Sequence, residues 1–180
     1  MRQFIRRSVL LLFAVGGFFI PGETTQGESR PAPSAWKSYV FKVTVDYDLS
    51  FDQMVAQGHY DWVNVGLHPH YFPIKGKGRG EVELELVHFG HTVTDAEVEK
   101  FLAKRGLKPA SLEHLLAFGA RYPKMQKQFP IAAIGSVWAP TRGDRLAPYL
   151  DASLRERLLN LSWGKGMWEG KFRFLVVRKN

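Results

Sequence analysis

The sequence predicts an α+β fold: a single domain with a mainly antiparallel sheet of short strands and two to three short helices. Three observations predict it. A segment typical of strands comes first, segments with helix-capping signals follow, and short apolar segments separated by Gly, Pro and Asp fill the rest. Strands and helices that are segregated along a chain are typical of α+β domains. The 180 residues, 45% of them hydrophobic, are enough for one domain with its own core.

The first 27 residues have the layout of a secretory signal. Three Arg within the first seven residues precede an apolar run, 8–20, which Pro21 and Gly22 end. This run is shorter than the roughly 20 residues that span a membrane. No Cys follows it, which excludes a lipoprotein anchor. We therefore predict a signal peptide at 1–27 and a periplasmic or secreted protein.

Two alternatives to export stay open. The segment lacks an A-x-A cleavage site, so it is also compatible with an uncleaved N-terminal anchor. In the second alternative, the start codon is misassigned and the domain belongs to a cytoplasmic protein. No second apolar run of spanning length follows, so we expect no transmembrane segment beyond the signal.

A linker and a strand–helix unit are predicted next. The segment 28–35 (ESRPAPSA) is a short Pro/Ser-rich linker, and the domain is expected over 36–180. The β-branched and aromatic segment 39–47 is typical of a strand. Ser50 and Gln53 then form a capping box for a short helix that ends at Gly58. The aromatic-rich segment that follows is irregular, with one short strand near 62–65.

The middle of the chain predicts a loop, a strand and two helices. A basic Gly-rich loop at 75–80 precedes 81–89, where Glu alternates with apolar residues, as on a strand with one exposed face. Thr94 and Glu97 form a second capping box, for a helix that Gly106 ends. Ser111 is expected to cap a third helix, which ends before Pro123.

The C-terminal third predicts β structure. Its short apolar segments are bounded by Gly, Pro and Asp, which favour turns. The strand candidates are 131–138, 146–150, 158–163 and 172–177.

Charge and composition exclude some function classes. The chain has no Cys, which excludes disulfides, thiolate nucleophiles and thiolate metal sites. The net charge is +8; without the three Arg and Glu23 of the predicted signal, 22 Lys/Arg against 16 Asp/Glu leave +6. This balance gives weak attraction to anionic partners. One alternative hypothesis is a cytoplasmic protein that binds nucleic acid. The basic residues are scattered along the chain, whereas nucleic-acid binding favours a basic patch or stripe.

The candidate ligand-binding residues lie on loops and strand ends of the C-terminal half. Aromatic side chains with charged neighbours on loops are typical of carbohydrate and peptide sites. The candidates are Trp138, Arg142, Asp144, Trp163, Lys165 and Trp168. Trp is mostly buried in small domains, so we also expect Trp138 and Trp163 to pack in the core. Trp168, between Gly166 and Gly170, is expected to be exposed.

Histidines supply the alternative, a small metal-dependent hydrolase. His68 and His70 form one pair and His88 and His91 another, with Asp61 as a further contributor. Such pairs can bind zinc if the fold brings them together. No H-E-x-x-H motif is present, and the pairs fall on different predicted elements, so we expect no cofactor.

Two further motifs do not reach functional signatures. The loop 75–80 lacks the spacing of a phosphate-binding loop, and a strand follows it instead of a helix. Ser136 lacks the G-x-S-x-G pattern of a nucleophile elbow. We interpret Gly135–Ser136 as a bulge or a close approach of the backbone within a strand.

Most of the chain after 39 resembles a family of short bacterial proteins that has no assigned function. The segments that carry the resemblance are YVFKVTVDYDLSFDQMVAQGHYDWVN, ELVHFG, LKPASLEHLLAFGARYP, FPIAAIGSVW and FRFLVVRK. The resemblance implies that 36–180 is one unit. The second half is also faintly similar to C-type-lectin-like folds: a Pro-Ala-Ser segment leads into a helix, then come Trp-bearing strands and a final aromatic strand. Neither resemblance implies site residues.

The sequence therefore predicts an exported, non-catalytic binding module. Its partner is expected to be a cell-surface polymer, a peptide or another protein, bound near Trp138, Trp163 and Trp168.

Overall fold

The computed structural model describes residues 39–178, so the predicted signal and linker lie outside the described residues. The elements follow the strand–helix–strand order that the sequence predicts. They are β1 (Phe41–Asp46), α1 (Phe51–Gln57), β2 (Trp62–Val63), β3 (Arg79–His88), β4 (Val93–Thr94), α2 (Asp95–Lys104), β5 (Leu107–Pro109), α3 (Leu112–Arg121), a 3₁₀ turn (Met125–Lys127), β6 (Ile131–Ala132), β7 (Pro148–Ser153), β8 (Glu156–Leu161), β9 (Met167–Trp168) and β10 (Arg173–Arg178). The predicted α+β single domain is confirmed.

One mostly antiparallel sheet organises the described domain. Its strand order is β1-β3-β10-β6-β7-β8-β2, and only the β6–β10 and β2–β8 pairs are parallel. β5 also pairs with β10, beyond the short β6. A second, two-stranded sheet joins β4 to β9. The last strand of the chain is thus central, bonded to β3, β5 and β6.

Two hydrophobic cores meet at β10. Leu175 belongs to the larger core, which α1 and α3 cover, whereas Phe174 and Val176 belong to the smaller core beneath α2. Side chains alternate along a strand, so the two cores lie on opposite faces of β10. The C-terminal strand therefore receives packing on both faces.

The first two capping boxes form as predicted. Ser50 N donates to Gln53 Oε1 at 2.8 Å, and Gln53 N donates back to Ser50 Oγ at 3.2 Å. Thr94 and Glu97 exchange the equivalent bonds at the start of α2. Gly106 follows the end of α2 with a φ of +68°, the left-handed conformation that glycine adopts at no steric cost.

Several predicted strands are shorter or shifted. The candidate 131–138 keeps only β6 and one isolated bridge, from Trp138 to Leu146, because the chain turns after Ala133. The short strands β4, β5 and β9 were not predicted. Glu85 was expected on a solvent face but is buried, and the ion pair with Arg178 compensates the burial of its carboxylate. None of the helices among residues 39–178 is long and apolar enough to cross a membrane.

Candidate functional site

Two loops of the C-terminal half lie side by side. Trp138 and Leu146 exchange backbone hydrogen bonds of 2.9 Å each, which close the loop 139–145 at its base. Arg145 N donates to Gly164 O at 3.1 Å, and Arg145 forms an isolated bridge with Lys165. The β6–β7 connection is thereby joined to the β8–β9 connection.

Asp95 ties both loops to the first turn of α2. Its Oδ2 accepts from Arg145 Nε at 2.6 Å, and its Oδ1 accepts from Trp168 Nε1 at 2.7 Å. Its backbone N donates to Gly166 O at 2.8 Å. A carboxylate in the first helical turn is also stabilised by the helix dipole. One buried side chain thus fixes three separate segments of the site.

Arg145 lines both of the clefts described below. Its pKa lies above the ordinary value, mainly because of the hydrogen bond to Asp95, with burial acting in the opposite direction and the charges of Asp95 and Glu99 adding to the rise. Its Nη2 also donates to Glu99 Oε1 at 3.2 Å. The guanidinium therefore stays charged while it is held in place.

The first cleft, called here the Tyr71 cleft, has a volume of about 310 Å³. Main-chain and side-chain groups of two loops line it. The lining residues are Tyr71, Phe72, Pro73, Lys75, Ile134, Gly135, Ser136, Val137 and Arg145. Both charged residues of this lining are cationic.

A stacked aromatic pair stands at the Tyr71 cleft. The rings of Tyr71 and Trp138 lie 4.0 Å apart and 16° from parallel. His70 contacts Tyr71 edge-on, with the ring centroids 5.0 Å apart. Tyr71 nevertheless remains 41% exposed. The pair gives the cleft a rigid aromatic ring that solvent reaches.

The second cleft, called here the Lys165 cleft, has a volume of about 210 Å³ and mixed charge. It lies at the start of α2 and shares Arg145 with the Tyr71 cleft. The lining residues are Thr94, Asp95, Ala96, Glu99, Arg145, Lys165 and Gly166. Acidic and basic side chains are equally represented, so this cleft has no net preference for one sign of charge.

The predicted residues Trp138 and Lys165 both reach this surface. Trp138 is half-buried: it packs against the larger core, as expected in part, and its ring also stacks on Tyr71. Arg142 and Asp144 lie on the loop between the two bridge residues, Trp138 and Leu146. Asp144 accepts a hydrogen bond from the Thr141 hydroxyl, so it orders its own loop.

The expected environments of two tryptophans are wrong. Trp163 was expected in the core but is 86% exposed, because β8 ends at Leu161 and the chain turns outward at Gly164. Trp168 was expected to be exposed but is only 3% exposed. The β4–β9 pairing turns it inward against Phe172, and Asp95 accepts its indole N–H.

The histidine pairs are not brought together as a metal site. His68 and His70 contact Tyr71, while His88 Nε2 lies 2.7 Å from Gly170 O. Within residues 39–178, no group of three or more His, Cys, Asp or Glu is placed to hold a metal ion. The predicted alternative of a histidine-dependent metal site therefore has no geometric support in this region.

Sequence reasoning missed Tyr71, Lys75, Asp95 and Arg145. Asp95 carried one usable signal, its place in the first turn of a capped helix, but nothing local indicates its partners 50 and 73 residues away. Lys75 and Tyr71 lie in segments interpreted as irregular loops. Their convergence depends on tertiary contacts alone.

Comparison of the chain with protein-family models, with curated proteins and with solved structures finds no match.

Proposed function

We propose that the protein is a non-catalytic module that binds a carbohydrate polymer of the cell surface at the Tyr71 cleft. The observation that carries the proposal is the Tyr71–Trp138 stack, an exposed ring held rigid beside hydrogen-bond donors. Binding sites commonly combine an aromatic surface with a few convergent polar groups. A flat ring of this kind suits the apolar face of a sugar.

The pair is held before any ligand arrives. Trp138 is fixed by its two backbone bonds to Leu146, and Tyr71 N donates to His68 O at 2.9 Å. A group that is already ordered loses little conformational entropy on binding. This favours recognition by a fixed surface over a site that must rearrange.

The proposal includes export, which would bring the site into contact with surface polymers. It depends on the predicted signal at 1–27, outside the described residues. The net charge of the remainder, +6, is compatible with an anionic envelope.

Affinity electrophoresis tests the proposal. The purified protein is run through native gels that contain xylan, glucomannan or polygalacturonate. We expect at least one polymer to retard the protein, and Tyr71→Ala to abolish most of the retardation. Trp62→Ala is the matched control, because Trp62 is an aromatic residue of similar exposure (45%) at the β2 edge of the sheet.

Two outcomes would contradict the proposal. If no polymer retards the protein, carbohydrate binding is excluded for these classes, and peptide or partner-protein binding takes its place. If the protein shortens a polymer, as measured by released reducing ends, the module is catalytic.

A further inference from the structure

The charged lining of the Tyr71 cleft indicates what kind of sugar it takes. Lys75 and Arg145 are its charged residues, and among residues 39–178 no acidic side chain lines it. Asp95 and Glu99, which pair with Arg145, line the Lys165 cleft instead. Those two carboxylates balance the charge of Arg145, so Lys75 is the cation of the Tyr71 cleft that has no ion-pair partner among residues 39–178.

Donors in the cleft remain available. Arg145 carries five N–H groups, of which Nε–H and one on Nη2 are used by Asp95 and Glu99. The Nη1 group has no hydrogen-bond partner among residues 39–178. The Lys75 ammonium forms no ion pair within the same residues.

Ser136 adds a third donor. Its Oγ accepts from Leu112 N at 2.9 Å, which fixes the oxygen and leaves the hydroxyl hydrogen able to donate. Residues that carry a hydroxyl, an ammonium and a guanidinium thus line the same cleft as Tyr71.

A third carboxylate, that of Glu113, contacts Lys75 without forming an ion pair with its ammonium. Glu113 Oε1 accepts from the backbone N of Lys75 at 2.5 Å, not from its side chain. Glu113 is buried, and it is not among the residues that line the cleft.

We infer that the Tyr71 cleft recognises an anionic sugar, with a carboxylate on the ring bound by Lys75, Ser136 and Arg145 while the ring packs on Tyr71. The inference rests on the proposed function and names its ligand class. Hydrogen bonds between charged groups are the strong ones, and guanidinium groups suit carboxylate geometry. A uronic-acid polymer fits this chemistry.

The test compares polygalacturonate with its fully methyl-esterified form, in which each carboxylate is replaced by an uncharged methyl ester. Binding is measured by biolayer interferometry at 0.15 M salt, which screens distant charges. Lys75→Gln removes a cleft cation without touching the Arg145 network. Lys124→Gln is the control, because it removes the same charge from an exposed residue outside both clefts.

We expect polygalacturonate to bind at least about tenfold more tightly than the ester, since a charged hydrogen bond is lost with esterification. Lys75→Gln should weaken polygalacturonate binding by about tenfold and leave the ester unaffected. Lys124→Gln should change neither affinity by more than about twofold.

Other outcomes separate the two proposals. If Lys75→Gln and Lys124→Gln weaken binding equally, overall charge explains the affinity and the inference is overturned. If both polymers bind equally and Tyr71→Ala abolishes both, the proposed function stands but the anionic specificity is wrong. If neither polymer binds, the anionic specificity is wrong, and the proposed function stands only if xylan or glucomannan retards the protein in the affinity gels.

Discussion

Asp95 shows how much a single residue can organise. Its two carboxylate oxygens and its backbone N bind two other segments to α2, one at Arg145 and one at 166–168, and the side chain is almost fully removed from solvent. The carboxylate accepts from one charged donor, Arg145, and one neutral donor, Trp168. If one of its oxygens is replaced, a buried donor is left without an acceptor, which is costly.

Asp95→Asn should therefore lower the free energy of unfolding by about 2–4 kcal/mol. The Asn amide keeps one oxygen acceptor, but its NH₂ group then faces the N–H donor of either Arg145 or Trp168, which loses its acceptor. Urea denaturation followed by far-UV circular dichroism measures the change. Glu99→Gln is the control: its half-exposed ion pair with the same Arg145 should be worth less than about 1 kcal/mol. Equal losses in the two variants would show that the burial of Asp95 contributes nothing.

Gly135 marks a close approach of two backbones. A Cβ at this position would lie 2.6 Å from Ala110 O, and Gly135 N donates to that same oxygen at 2.9 Å. The sequence-based interpretation of a close approach is confirmed, although the residue follows β6 instead of lying inside a strand.

We expect Gly135→Ala to destabilise the domain by about 1–3 kcal/mol, because backbone atoms must move to admit the methyl group. The same urea titration measures it. Gly80→Ala is the control, since a Cβ there meets nothing within 4 Å and the residue lies in β3. A neutral Gly135→Ala would mean that the contact with Ala110 is easily relieved.

At the scale of elements, the start of α3 differs from the other two capped helices. Its third residue is His114 where α1 and α2 carry Gln53 and Glu97. Ser111 N donates to His114 Nδ1 at 3.1 Å, which requires that this nitrogen be unprotonated. Burial lowers the pKa of His114 below its ordinary value of 6.5, with the charge of Glu113 acting in the opposite direction.

This cap makes α3 sensitive to acid. The pKa of His114 is lower in the folded than in the unfolded state, so its contribution to stability is complete above about pH 6.5 and declines as the pH falls toward the folded value. His114→Gln keeps a capping acceptor that does not titrate. We expect this variant to lose part of the decline in unfolding free energy between pH 7.5 and 5. His91→Gln, an exposed substitution outside α3, should keep the decline of the unaltered protein; the same decline in all three proteins would contradict the prediction.

The helices with local capping patterns were predictable from the sequence, whereas the shortest strands were not. The caps at Ser50 and Thr94 are local patterns, so both helices were predicted correctly. β4, β5 and β9 have two or three residues each, and only their distant partners make them strands. Trp168 was misassigned for the same reason, because β9 turns it inward. A short segment flanked by glycines has no local signal for that pairing.

For the whole molecule, the fold class was predictable but the site was not. Segregated strands and helices indicated α+β, and the apolar pattern of 172–177 indicated the strand that became β10. The candidate site instead combines Tyr71, Asp95, Trp138 and Arg145, which are widely separated along the chain. The sequence-based prediction included the loops after Trp138 and around Lys165 because Trp and Gly are frequent there. Tyr71 and Asp95 join these loops through contacts with residues distant along the chain, which no local pattern indicates.

The last prediction concerns the whole chain, because the proposed site binds a surface polymer only if the domain leaves the cytoplasm. When the full-length gene is expressed in a bacterial host, we expect the periplasmic fraction to contain a product that starts near Glu28, as measured by intact mass. Leu11→Arg places a charge in the apolar run and should leave the full-length chain in the cytoplasm, since a signal requires an uninterrupted apolar core. If the unaltered chain is found at full length in the membrane fraction, the segment is an uncleaved anchor, and surface polymers remain the ligands to test. A full-length product in the cytoplasm would contradict export, and nucleic-acid affinity with its steep salt dependence would become the property to measure next.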